Sequence, residues 1–187
     1  MARLVYATIT SLDGFIEDTT GAFDWYAPNE EVHTFINQLQ RAFGTHLYGR
    51  RMYEVMQFWE KLTPEDSHSP VMRDFAESWQ AADKLVFSRT LDAVSTTKTQ
   101  LVREFDPALI QRMKDELDKD MLIGGAELAS CALAAGLVDE VQLFLAPVVL
   151  GGGKAAMAVR QRVGLVLEEE RRFGDGVVFL RYHFALD

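Results

Sequence analysis

Short apolar runs alternate with amphipathic helical stretches as far as Gly136, and from Asp139 onward only strand patterns remain. This order constrains the fold more than any other feature. A strand followed by a crossover helix returns parallel to its predecessor, whereas strands in direct succession pair antiparallel. The spacing predicts strands at Arg3 to Ile9, Thr45 to Gly49, Lys84 to Ser88, Thr99 to Val102 and Met121 to Ile123. Val32, Phe35, Ile36, Leu39 and Phe43 recur at helical intervals and predict a first helix that Gly44 stops. Ser11 to Ala27, between that strand and that helix, is expected to be a loop long enough to serve as a lid. A short helix is predicted from Arg50 to Phe58, another on Met72, Phe75, Ala76 and Trp79, and a third after the cap pair Asp106-Pro107. A last helix ends at Gly136. The remainder reads as strands at Glu140 to Val149, Gly164 to Phe173 and Val177 to Phe184, the final two joined by the turn Gly174-Asp175-Gly176. The expected architecture is one α/β domain over residues 1–187, a mostly parallel sheet between two helical layers with an antiparallel hairpin at one edge.

In a parallel sheet, ligands bind beyond the carboxyl ends of the strands. Four features of this chain fall there: the joint at Gly49, the run Ser88-Arg89-Thr90, the joint at Gly124-Gly125 and the long first loop. In Met121-Leu-Ile-Gly-Gly-Ala-Glu-Leu128 a strand breaks into two glycines and opens a helix, which presents N–H groups and a positive helix end to an anion. The same joint also serves where a helix must simply turn tightly onto its strand. Arg50 and Arg51, in the first turn of the next such helix, oppose the helix dipole unless an anion shares them. Neither G-x-G-x-x-G nor G-x-x-x-x-G-K-[ST] occurs, which disfavours an ordinary Rossmann site and a P-loop.

Against a formal charge of −9, arginines beside glycines read as site chemistry, and a general nucleic-acid or acidic-membrane surface is disfavoured. No apolar stretch reaches the roughly 20 residues that span a bilayer, so a cytoplasmic protein is expected. The single Cys131 excludes an internal disulfide and reads as a small buried apolar position. His33, His46, His68 and His183 show no metal-ligand spacing, so no metal is expected.

Several motifs together carry a resemblance. They are Ser11-Leu-Asp-Gly14, Trp25-Tyr-Ala-Pro28, Tyr48-Gly-Arg-Arg-Met-Tyr-Glu54, Phe87-Ser-Arg-Thr90, Leu122-Ile-Gly-Gly-Ala126 and Val141-Gln-Leu-Phe-Leu-Ala-Pro-Val-Val-Leu-Gly-Gly152, which Gly153 extends. In order and spacing the chain resembles the dihydrofolate reductase-like superfamily, and within it the C-terminal reductase domain of bifunctional riboflavin-biosynthesis enzymes. The zinc deaminase elements of those enzymes, His-x-Glu and Cys-x-x-Cys, do not occur here.

The resemblance implies a three-layer αβα fold and an NADPH-dependent reductase passing hydride to a small heterocycle, pteridine-like or aminopyrimidine-like. A relation to 5-amino-6-(5-phosphoribosylamino)uracil reduction follows from the same likeness. Carried onto this sequence, Gly49, Arg50, Arg51 and Met52 would lie beneath the cofactor phosphates, and Ser88, Arg89 and Thr90 on its adenosine side. Arg50 and Arg89 would hold a 2′-phosphate, whose geometry a guanidinium fork matches. Ile123, Gly124, Gly125, Ala126 and Glu127 would receive the pyrophosphate, and Ile16 would pack near the nicotinamide. Trp25 and Glu30 would face the substrate, with Glu30 as proton donor; equally, an acidic residue in a first helical turn answers the dipole alone. Asp13 reads chiefly as a turn residue and Lys154 as a solvated loop lysine. The riboflavin-type likeness also implies a homodimer built on the strand Val141 to Val149 and the glycine loop behind it. The competing reading is a non-catalytic nucleotide- or ligand-binding module on the same fold.

Overall fold

The computed structural model describes residues 1–63, 69–159 and 161–185, so His68 lies outside the described residues. The chain opens with strands β1 (Leu4–Ser11) and β2 (Phe15–Glu17), helix α1 (Glu30–Gln40) and strand β3 (Phe43–Gly49). Helices α2 (Arg50–Met56), α3 (Phe58–Lys61) and α4 (Pro70–Ala81) lead to β4 (Asp83–Phe87) and β5 (Thr99–Val102). Next come α5 (Pro107–Glu116), β6 (Asp120–Gly124) and α6 (Ala126–Ala134); β7 (Glu140–Ala146), β8 (Lys154–Ala155), β9 (Leu165–Arg172) and β10 (Val178–Phe184) close the chain.

Eight strands form one sheet in the order β5-β4-β3-β6-β1-β7-β10-β9. All pairs from β5 to β7 are parallel, and β10 runs antiparallel to both β7 and β9. The architecture is thus a mostly parallel sheet with a C-terminal antiparallel hairpin. Strand alternation divides the core. Leu4, Tyr6, Met121 and Ile123 face Ile110, Leu128 and Ala132 of α5 and α6. On the other face, Val32 and Phe35 of α1 pack on Phe144, Phe173 and Phe179, while Tyr48 and Val86 meet Tyr53, Phe75 and Trp79. Phe35 sits 5.0–6.2 Å from three other phenyl rings, contacts worth about 0.5–1.5 kcal/mol each beyond burial.

The structure departs from the sequence expectations in four places. The loop from Ser11 to Ala27 contains β2, which pairs antiparallel with β8 (Phe15↔Ala155, Glu17↔Lys154). Helix α1 ends at Gln40, and Phe43, although at helical spacing, begins β3 opposite Asp120. Gly44 therefore stops no helix: a Cβ there would come within 2.9 Å of the Lys119 Cβ, so glycine permits a close crossing of chains. The helix expected from Arg50 to Phe58 divides at Gln57 into α2 and α3. Strand β7 stops at Ala146, because Pro147 has no N–H for the ladder.

A buried polar chain ties β3 to α4. Trp79 Nε1 donates to Tyr48 Oη (3.2 Å), which leaves that hydroxyl to donate to His46 Nδ1 (2.8 Å). Burial keeps the His46 ring neutral, its pKa pushed down to about 3. Lys84 Nζ donates to the carbonyls of Trp79 and Ala82 at 3.0 and 2.9 Å and so closes the end of α4.

Candidate active site

A cleft of about 1280 Å³ opens over the carboxyl ends of the parallel strands and continues beneath α1. Its rim is built from the joints that follow β3, β4, β5 and β6. Gly49 and Gly125 are the N-caps of α2 and α6, and neither helix has a side-chain cap, so both helix ends are open to a ligand. Gly125 adopts φ +92°, a conformation that favours glycine, and a Cβ on Gly124 would meet the Tyr48 ring at 3.0 Å.

Gly49, Arg50, Arg51, Met52, Ser88, Arg89, Gly124, Gly125, Ala126 and Glu127 all line this cleft, as do Ile16 and Trp25. Arg50 is held by Glu54 (2.7 Å) and donates to Thr90 Oγ1 (3.0 Å), which brings the α2 and β4 segments together. Arg89 is exposed at the rim and has no hydrogen-bond or ion-pair partner among the described residues. Arg51 is occupied otherwise: it pairs with Glu17 (2.9 Å) and donates to the Gly21 carbonyl (2.8 Å), fastening the first loop to α2. The Ile123 side chain is fully buried against α5 and α6, which leaves only its backbone near the cleft. Lys154 is no solvated lysine; it pairs with Glu127 (2.7 Å) and holds that carboxyl below its usual range. Asp13 is a fastening residue. Its carboxylate accepts from Ser11 Oγ (2.6 Å) and from the Leu150 and Gly151 N–H groups (3.1 and 2.7 Å), bonds that keep its pKa below the ordinary value.

Two further expectations are corrected. Glu30 does not reach the cleft. Val32, Phe35, Ile36 and Leu39 form the inner stripe of α1, which turns Glu30 outward into a shallow groove with Thr34, Gln38 and Arg171. Its position is that of an exposed helix-start residue beside the cap Asn29, whose side chain accepts from the Val32 N–H (2.9 Å). Cys131 is exposed and lines the cleft, whereas Ala129 and Ala132 take the buried side of α6. Cys131 follows Glu127 at i+4 and so shares the exposed face of α6 with it.

Other lining residues escape the sequence reading. Arg103 reaches the cleft and is steadied by the Leu91 and Ser88 carbonyls at 2.6 and 3.3 Å. Beneath α1 the chamber is enclosed by Ile9, His33, Gln40, Trp59, Phe75 and Gln142. Burial lowers the His33 pKa and favours the neutral ring. The Nε1 of Trp25 and the Oε1 atoms of Gln40 and Gln142 are buried without a hydrogen-bond partner among the described residues. Such groups are costly unless a ligand satisfies them. Among the described residues, no group of three or more His, Cys, Asp or Glu side chains is placed to hold a metal, and no helix is long and apolar enough to cross a membrane.

An anionic, phosphate-bearing group suits the rim, where uncapped helix ends, glycines and arginines converge. A flat, largely apolar group suits the chamber beneath α1. Similarity to known proteins extends over the whole chain. The Bacillus subtilis protein YyaP, itself uncharacterised, is 33% identical over 188 aligned positions that cover 97% of this chain and 95% of YyaP. A Shewanella sp. PV-4 protein assigned to riboflavin biosynthesis superposes with a TM-score of 0.75 at 22% identity over the whole of both chains. The Thermotoga maritima diaminohydroxyphosphoribosylaminopyrimidine deaminase/5-amino-6-(5-phosphoribosylamino)uracil reductase superposes with a TM-score of 0.63 at 16% identity, the match covering 98% of this chain and 57% of that one. Residues 2–179 match the RibD C-terminal domain, and the chain belongs to that family, on the fold of riboflavin-pathway reductases.

Proposed function

We propose that the protein is an NADPH-dependent reductase that passes hydride to a small heterocycle held beneath α1. The carrying observation is a single cleft in which a rim of open helix ends and arginines runs directly into a chamber with unsatisfied neutral polar groups. Gly124, Gly125 and the first turn of α6 would hold the pyrophosphate, with Gly49 and Met52 opposite. Arg50 and Arg89 would take the 2′-phosphate, Ser88 and Thr90 the adenosine side, and Ile16 the nicotinamide. NADPH, when bound, supplies the hydride. The chain's own part is to orient the two partners and exclude water, for which Trp25, Trp59 and Phe75 provide apolar walls.

Arg89 offers the sharpest test of the cofactor, because no other described residue engages it. A charge-assisted phosphate contact is worth about 1.5–3 kcal/mol. Arg89→Ala should therefore weaken NADPH binding about tenfold or more by titration and leave NADH almost unchanged. Equal losses for both nucleotides would refute the assignment. Turnover is tested by following NADPH oxidation against pterins, pyrimidines and flavins. The placement of Glu30 outside the cleft favours a second reading, a ligand-binding module without turnover, which would quench tryptophan fluorescence and consume no NADPH.

The proposal includes a homodimer. Leu165 and Leu167 on β9 are 39% and 45% exposed. The register places them on one face with Leu143, Leu180 and Phe184, at the edge of the sheet. Ala146 is fully buried within the chain, on the opposite face of β7 by strand alternation, so it is no probe of assembly. Leu165→Glu with Leu167→Glu should give a folded monomer by sedimentation; an unchanged dimer would place the contact elsewhere.

A further inference from the structure

Gln142 is 4% exposed, lines the cleft, and belongs to no part of the cofactor rim. Its Nε2 donates to Glu140 Oε1 at 2.6 Å. Glu140 is itself 3% exposed and fixed by Arg3 Nη1 at 2.7 Å and Arg181 at 3.3 Å. Flipping the amide would set its carbonyl oxygen against that carboxylate, so the ion network fixes which end of Gln142 is the acceptor. The Oε1 it leaves is buried without a partner among the described residues, as is Oε1 of Gln40 on α1 above it. Trp25 Nε1, an unused donor, lies on a residue of the same wall. The charges lining the cleft come from β2, α2, α6, β8 and the segments after β4 and β5. None comes from β1, β6, β7, α1, α3 or α4, the elements that enclose the chamber.

We propose that Gln142 is a specificity-determining residue, accepting through Oε1 a hydrogen bond from a ring N–H, and that the chamber takes an uncharged cyclic amide. This rests on reading the cleft as a reductase site. It narrows the substrate to heterocycles that present a lactam or imide edge and carry no phosphate into the chamber, where no cation would meet one.

The test is equilibrium dialysis of the full chain with pteridine-2,4-dione and with its 1,3-dimethyl derivative, which lacks the N–H donors. The wild-type protein should bind the parent at least tenfold more tightly. Gln142→Met, which keeps the bulk and removes the acceptor, should erase that preference while leaving the NADPH dissociation constant unchanged. Equal affinity of the wild-type protein for the two compounds, no binding of the parent, or a preference that survives in Gln142→Met would overturn the proposal. The wild-type comparison stands even if the variant fails to fold. A wild-type protein that shows the lactam preference but binds no NADPH would instead count against the cofactor reading and leave the role of Gln142 standing.

Discussion

Gly125→Val is expected to weaken NADPH binding by about a hundredfold or more, a loss of roughly 2.7 kcal/mol. Gly125 holds φ +92° and ψ +123° at the N-cap of α6, so a β-branched residue there is strained by about 1–3 kcal/mol. Its Cβ would lie 3.4 Å from Met52 Cβ, and the two γ-carbons must extend into the space between α2 and α6 where the phosphates are proposed to lie. Strain and obstruction act on different observables. Thermal unfolding should register the first as a modest fall in Tm, while titration at a temperature well below Tm isolates the second. A folded Gly125→Val protein with ordinary NADPH affinity would remove the pyrophosphate from this joint.

The rim was legible in the sequence because its determinants are local. A glycine between a strand and a helix, or an arginine one residue beyond it, keeps its meaning whatever the distant chain does, and Gly49, Arg50, Arg89 and Gly125 all lie on the cleft. Residues whose role depends on non-local pairing were not legible. Strand β2 is three residues long, and its partner β8 is two residues inside a glycine-rich segment 140 positions away in the Phe15↔Ala155 pair. No periodicity can signal so short a ladder. Arg51 stands beside Arg50 in sequence yet serves Glu17 and Gly21, because successive helical residues point about 100° apart.

Gln142 illustrates the same limit in a strand. It sits in the apolar run Val141 to Ala146, where a lone amide reads as a tolerated polar position. Its meaning comes from Glu140 two residues before, on the same face, from Arg181 on the neighbouring strand β10 and from Arg3 just before β1. Glu30 fails for the opposite reason. It stands in the first turn of α1, but the phase of α1 is set by Val32 and Phe35 packing on the sheet, and that phase turns the carboxylate away from the chamber. The described residues of the chamber wall then supply neutral amides, an indole N–H and the His33 ring, groups suited to recognition.

The largest effect on stability is expected from Gly153→Ala. A Cβ at Gly153 would stand 1.8 Å from the Glu17 carbonyl oxygen and 2.8 Å from its carbon, and the residue holds φ +133°. The obstacle is backbone, so no rotamer change relieves it, and β2 and β8 must separate. Since these two strands form a sheet of their own, outside the eight-stranded one, the core should stay folded while the flap detaches. Detachment frees Glu17 from Arg51 and Lys154 and withdraws Ile16 from the cleft. A local cost of about 3 kcal/mol or more is expected, at the upper end for single substitutions. Limited proteolysis should then cut between residues 12 and 27 much faster than in the wild-type protein, and NADPH binding should fall together with the flap. Gly151→Ala is the matched control: it shares the loop and a positive φ of +74°, but its Cβ would meet nothing within 4 Å. That substitution should cost only the strain of its backbone conformation, about 1 kcal/mol. If the two variants are cleaved at the same rate, the close approach of Gly153 to Glu17 is not what holds the flap on the cleft.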